Sequence, residues 1–299
     1  KKIDFKQAFL LIYLLPTVAF MAVGAYSYFT EGVPQRFPEE VRQLISSYSF
    51  ERDLTRTCAI RNGDYHKITV HYLTDHCAYG DLTQARPQIL LFGDSHAHHF
   101  KPFVEYLAMD ANLKAVYHVQ GSCSPLDLPD AASGAGSPAS VCAKRNADLL
   151  QTASDFKFVV IAGSWDYKGK EAAFENNLAT VIETIERAGA TPVVFKDNPY
   201  HEPDLSQCVL FKKRGWIAAD KNCNIPYAYV EDTQGSMNAV IDKIKFRYPQ
   251  VVVIEPQLVM CNASECTTSI ANTALYKDAN HLNAKAARLL AMNYVGVKG

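Results

Sequence analysis

The chain has no excess of either charge: 30 lysines and arginines face 31 aspartates and glutamates across 299 residues, a net charge of −1. Without a basic stripe there is no electrostatic footprint for a phosphate backbone, which argues against a nucleic-acid partner. The eight cysteines include no Cys-x-x-Cys pair, and their spacings do not resemble a structural zinc site. No internal repeat is evident. Methionine is missing from position 1, where Lys1 stands, so we expect a piece of something longer, with further membrane segments upstream.

Formal charge is also absent from residues 7–30, a stretch that includes Ala8-Phe9-Leu10-Leu11-Ile12-Tyr13-Leu14-Leu15. An apolar run of that length crosses a hydrocarbon core of roughly 30 Å as a helix. Lys1, Lys2 and Lys6 precede it, so the positive-inside rule puts the N-terminus in the cytoplasm and everything after about residue 30 outside. A cleaved signal peptide is the alternative, with small residues at Val23-Gly24-Ala25. The length of the run, and an interfacial belt of Tyr26, Tyr28 and Phe29, favour a retained span in an inner membrane.

The cysteines fall into four sequence-local pairs, Cys58/Cys77, Cys123/Cys142, Cys208/Cys223 and Cys261/Cys266. Eight cysteines allow 105 connectivities, and local pairing is the simplest. Each bridge would contribute about 2–4 kcal/mol, mainly by restricting the unfolded chain. Disulfides imply an oxidising compartment, in agreement with export.

Residues 1–37 therefore read as a transmembrane helix and juxtamembrane segment, and 38–88 as a linker or extension. In the latter, Glu39 to Arg52 looks helical and Ile68–Leu73 resembles a short strand. From residue 89 the pattern changes. Candidate strands at Ile89–Phe92, Ala115–Val119, Phe158–Ala162, Pro192–Phe195 and Val251–Ile254 alternate with candidate helices at 98–110, 143–154, 171–189, 235–247 and 284–294. Such alternation predicts a five-stranded, doubly wound α/β domain with a parallel sheet over residues 89–299. The glycine- and serine-rich stretch 130–138 reads as a surface loop, and 197–234 is long enough to wall a cleft.

Ser95 lies in Leu90-Leu91-Phe92-Gly93-Asp94-Ser95-His96-Ala97, on the turn between a buried strand and a helix. That turn sits at the carboxyl edge of the sheet, where ligands bind in such folds. Backbone N–H groups of a helix start favour developing negative charge there. A serine hydroxyl needs a base, and Asp278-Ala279-Asn280-His281-Leu282 supplies His281, with Asp278 placed to orient its ring. Gly121, after the second strand, is a candidate oxyanion donor with the Ser95 N–H; a plain turn glycine is the bland alternative. Ser164 and Trp165, after the third strand, are candidate pocket residues, as is His96. His96, His98 and His99 form a cluster, but no nearby carboxylate or cysteine completes a metal set, so no metal is expected. Asn283 is a good N-cap for the last helix.

These residues resemble the SGNH (GDSL-type) hydrolase superfamily: Gly-Asp-Ser-His is similar to its first block and Asp-x-x-His-Leu to its last. The resemblance extends to the SGNH domains fused behind acyltransferase-3 membrane domains in bacterial O-antigen and surface-polysaccharide acetyltransferases. It is carried also by Gly121-Ser122-Cys123-Ser124-Pro125-Leu126, by Ala162-Gly163-Ser164-Trp165, and by Cys261/Cys266 before Leu275-Tyr276-Lys277-Asp278, and spans roughly residues 55–295. The resemblance implies a flavodoxin-like SGNH-hydrolase fold and a periplasmic O-acetyltransferase. In that reading Ser95 is nucleophile, His281 base, Asp278 its orienting partner, and Gly121 an oxyanion donor. It implies no bound cofactor; acetyl-CoA is the ultimate donor, reaching the domain through an upstream acyltransferase-3 module, and a surface polysaccharide is the acceptor. One departure stands out: the superfamily's third block carries an oxyanion-hole asparagine, and here Trp165 stands near that point with no asparagine beside it. A carbohydrate esterase using the same residues with water, and a silent glycan-binding domain, are the alternatives.

Overall fold

The computed structural model describes residues 4–30, 32–48, 58–59, 67–129 and 138–298. The expected loop at 130–138 lies almost wholly outside the described residues, as does the end of the helix expected to reach Arg52. Helix α1 runs over Phe5–Phe29, long and apolar enough to cross a membrane, with a π-helical stretch at Phe9–Leu14. Its apolar side chains, including Ile12, Phe20 and Met21, are exposed.

Helix α2 (Glu39–Ser47) starts behind Pro38 with Glu39 and Glu40 in its first turn, where acidic groups complement the helix dipole. It is docked rather than free. Val41 and Leu44 pack with Leu210 and Ala274, the Ser47 hydroxyl accepts the Ala274 N–H at 3.1 Å, and Lys213 pairs with Glu40 at 2.6 Å. The strand expected at Ile68–Leu73 is instead helix α3 (Val70–His76), capped by the Thr69 hydroxyl, which accepts the Tyr72 N–H at 3.2 Å. Six residues of mixed apolar character carry too little period to decide between helix and strand, and the cap decides it.

The main sheet has six strands: β1 (Ala78–Gly80), β2 (Ile89–Gly93), β3 (Lys114–Val119), β4 (Phe158–Ala162), β5 (Thr191–Phe195) and β6 (Val252–Ile254). The spatial order is β1-β3-β2-β4-β5-β6. The last five are the expected parallel strands; β1 adds an antiparallel edge, with Tyr79 opposite Ala115. Leu90, Leu91 and Phe92 of central β2 are wholly buried, as a strand covered on both faces requires. The covering helices are α4 (Ser95–Asp110), α5 (Pro138–Gln151), α6 (Glu171–Arg187), α8 (Tyr227–Arg247) and α9 (Ala284–Lys298), with short α7 (Cys208–Lys213) in the long segment after β5. The sulfurs are joined as Cys58–Cys77, Cys123–Cys142, Cys208–Cys223 and Cys261–Cys266.

From β2 the chain moves to β3 on one side and to β4 on the other. This reversal opens a crevice at the carboxyl end of β2. Gly93 makes the turn into α4 possible. A Cβ there would stand 1.8 Å from the Ala162 carbonyl oxygen and 2.7 Å from the Ala97 Cβ. Backbone on one side and a packed helix on the other leave nothing to yield. We expect Gly93→Ala to abolish folded protein, read as loss of the thermal transition and of soluble, disulfide-complete material.

Candidate active site

The Ser95 turn is built by Asp94, which caps α4. Its carboxylate accepts the His96 N–H at 2.8 Å through Oδ1 and the Ser164 N–H at 2.8 Å through Oδ2. One buried side chain therefore fixes the start of the Ser95 helix and ties it to the turn after β4. The cap leaves the Ser95 N–H outside the intrahelical ladder. On the other side, the Gln120 N–H donates to the Gly93 carbonyl at 3.1 Å, which holds the Gly121 turn beside the Ser95 turn.

His281 arrives from the other end of the chain because α9 packs along α4, with the rings of Phe103 and Tyr294 5.6 Å apart. Asn283 starts α9 as the sequence suggested, its Oδ1 accepting the Ala286 N–H at 2.8 Å. This cap leaves His281 on the preceding loop, at the sheet edge. The His281 Nε2 lies 2.8 Å from the Ser95 Oγ, and Nδ1 lies 3.0 and 3.1 Å from the two Asp278 oxygens. A carboxylate only accepts, so Nδ1 carries the proton and Nε2 presents its lone pair to the Ser95 hydroxyl. The arrangement can take a proton from Ser95.

The electrostatics suit a base that stays neutral. Burial, then the neighbouring His96, hold the His281 pKa below its ordinary value, against the pull of Asp278. Burial alone would raise the Asp278 pKa, but the His281 and Asn280 N–H groups and the imidazole outweigh it and keep the carboxyl below the usual range.

The profile of the family described as SGNH domain (fused to AT3 domains) matches residues 57–295. The chain belongs to that family. The periplasmic domain of the Salmonella ser. Paratyphi A lipopolysaccharide acetyltransferase has a similar fold, with a TM-score of 0.55 at 16% identity. The alignment covers 84% of this chain and 98% of that one. No curated protein sequence matches.

In this SGNH domain the third-block position behaves as the sequence warned. Trp165 is buried, its Nε1 donates to the Phe195 carbonyl at 2.8 Å, and its ring packs on Phe174. The Ser164 N–H is spent on Asp94. Neither donor is left for an oxyanion, so Trp165 does not replace the asparagine as a hydrogen-bond donor.

Three features of the SGNH site escaped sequence reading. The first is Asp197, just beyond β5, whose Oδ1 lies 2.7 Å from the His96 Nδ1. The histidine cluster thus does have a carboxylate, brought from the next sheet edge. His96, His99 and Asp197 place potential ligand atoms within 4.8 Å of one another. Asp197 Oδ1, however, also accepts the Asn198 N–H at 2.9 Å and serves as an internal anchor. Burial works against charge on His96, but Asp197, Asp94 and Asp278 together raise its pKa. Its ring centroid is 4.9 Å from that of His281, and His96 is not among the residues that line the cavity described below.

The second is Arg145 of α5, fully buried. Its guanidinium donates to the Gly93 carbonyl at 2.8 Å and the Cys123 carbonyl at 3.2 Å, clamping the Ser95 turn to the Gly121 turn. The Cys123–Cys142 disulfide ties the Gly121 turn to α5 covalently. The third is a cavity of about 290 Å³, whose lining includes Ser164, Trp165, Asp197, His201 and the Ala279-Asn280 pair just before His281. The position of Asp197 at the carboxyl end of a strand was a usable sequence signal; Arg145 gave none.

Proposed function

We propose that this protein is a periplasmic O-acetyltransferase that passes an acetyl group through Ser95 to a hydroxyl of lipopolysaccharide O-antigen or another surface polysaccharide. The observation that carries the reading is the 2.8 Å contact between the His281 Nε2 and the Ser95 Oγ, with Asp278 behind the ring. Helix α1 anchors the domain in the inner membrane with residues after about 30 in the periplasm, where four disulfides are at home. An acyltransferase-3 module upstream in the same polypeptide, the arrangement for which the family is described, draws on cytoplasmic acetyl-CoA and delivers acetyl groups.

The Ser95 Oγ gives its proton to the His281 Nε2 and attacks the acetyl carbonyl carbon of the donor. The bond from that carbon to the leaving group breaks, and the leaving group takes the proton from His281. A sugar hydroxyl then gives its proton to His281, attacks the acetyl ester, and releases the Ser95 Oγ, which recovers the proton. Asp278 orients the ring and stabilises the transient imidazolium. The Ser95 and Gly121 N–H groups receive the developing oxyanion. With the third-block asparagine missing, they act without a donor whose loss elsewhere costs on the order of 10²–10³ in rate.

Because His281 is held below its ordinary pKa near 6.5, falling pH protonates the base only below that value. The acid limb of the rate profile should therefore have its midpoint under 6.5, with activity level above it; a midpoint above 6.5 would contradict the account. In cells, Ser95→Ala at matched protein abundance should remove O-acetyl groups from the surface polysaccharide, measured by NMR. Unchanged acetylation would leave only a glycan-binding role. An esterase would instead raise the acetyl content when Ser95 is lost.

A further inference from the structure

The cavity is walled by the turn after β4, by the segment after β5, by α8, and by Ala279 and Asn280, and it adjoins the site through Ser164, which bonds Asp94 beside Ser95, and through Asn280, which precedes His281. We propose that it is the acceptor subsite and that it takes an uncharged pyranose, excluding acidic sugars; this rests on the acetyl-transfer reading above. At about 290 Å³ it lies at the small end of ligand pockets, roughly 300–1,000 Å³, which suits one sugar ring.

His201 is the pointer to a ligand. The ring is 2% exposed and lines the cavity. The Leu205 amide, which can only donate, meets Nδ1 at 2.9 Å, closer than the Pro203 carbonyl at 3.2 Å. Nδ1 therefore holds the lone pair and Nε2 carries the proton. That Nε2 is buried and has no hydrogen-bond partner. Burial keeps the ring neutral. A neutral ring with an unused donor, on a residue that lines the cavity, is complementary to a hydroxyl or carbonyl oxygen.

The other walls fit the same chemistry. Trp165 and Tyr200 provide aromatic surface for the C–H face of a ring, and Asn238 provides an amide that can donate and accept. Charge sets the class. Asp166 and Glu202 are exposed in the lining, the buried Asp197 is paired with His96, and neither lysine nor arginine is among the lining residues. A uronate or phosphate entering would meet the exposed Asp166 and Glu202 carboxylates, of its own sign, with no lysine or arginine in the lining to offset them.

The test uses the full chain in detergent, with Ser95→Ala to prevent turnover and Trp216→Phe to leave Trp165 as the single tryptophan of these 299 residues, excited selectively. It is titrated with neutral oligosaccharides of mannose, galactose, rhamnose and N-acetylglucosamine, and with trigalacturonate. At least one neutral sugar should shift Trp165 emission saturably, with trigalacturonate at least tenfold weaker at low salt. Asp166→Asn with Glu202→Gln should narrow that gap. His201→Phe, and independently Asn238→Phe on the partly exposed face of α8, should weaken the neutral sugar about tenfold. Binding by no neutral sugar, equal or tighter binding of trigalacturonate, or indifference to both cavity variants would overturn the proposal. Binding in Ser95→Ala protein does not depend on acyl chemistry. Sugar binding without Ser95-dependent acetylation would sink the transfer reading alone, and acetylation without the binding pattern would sink this one alone.

Discussion

Ser95→Ala in the full chain is expected to lower acetyl transfer by on the order of 10⁴ or more, and His281→Ala to do nearly the same. The double variant is expected to be no slower than the worse single one, because in the proposed mechanism the hydroxyl and the imidazole act as one unit across their 2.8 Å contact. Stability should barely change. Ser95 and His281 are both partly exposed, and neither is part of the wholly buried core. Steady-state rates with a small acetyl ester and a polysaccharide acceptor, together with thermal unfolding of each variant, separate the two quantities. Additive losses from the two single changes would mean that the residues serve different steps.

Arg145→Met should cost about 3–5 kcal/mol of stability and most of the activity. Its guanidinium reaches two backbone carbonyls and twice contacts the Asn146 side chain, all in a buried setting. Bonds to charged groups contribute about 1.5–3 kcal/mol each, and carbonyls left without partners add their desolvation cost. Methionine keeps much of the volume and removes every donor. Arg145→Lys separates positioning from folding: one ammonium cannot span the Gly93 and Cys123 carbonyls as the planar fork does. We expect the lysine variant to regain part of the stability while kcat stays low and KM changes little. Full recovery of kcat by lysine would show that charge, not the clamp, is what the site needs.

The parallel strands were legible because Ile89–Phe92, Phe158–Ala162 and Pro192–Phe195 are short apolar runs, and strands buried on both faces have no polar side to blur them. Ser95 and His281 were legible because local motifs announce them. What was hidden depends on contacts between distant segments. β1 is three residues long and is a strand only because β3 offers an edge to pair with. Arg145 lies in an amphipathic helix, where an arginine normally reads as a solvated charge, and its burial follows from how α5 meets two turns. Asp197 is 101 residues from His96 and joins it only through the order of β2, β4 and β5. The Ile68–Leu73 segment was misread for a local reason: the Thr69 cap outweighs a weak strand pattern.

The most direct measurement is chemical quench of the full chain after brief exposure to labelled p-nitrophenyl acetate, followed by peptide mapping. The account predicts an acetyl ester on the peptide containing Ser95 that builds up before steady state and discharges when the sugar acceptor is added. Label on a different residue, or product formed at the normal rate with no acetyl on Ser95, would contradict it.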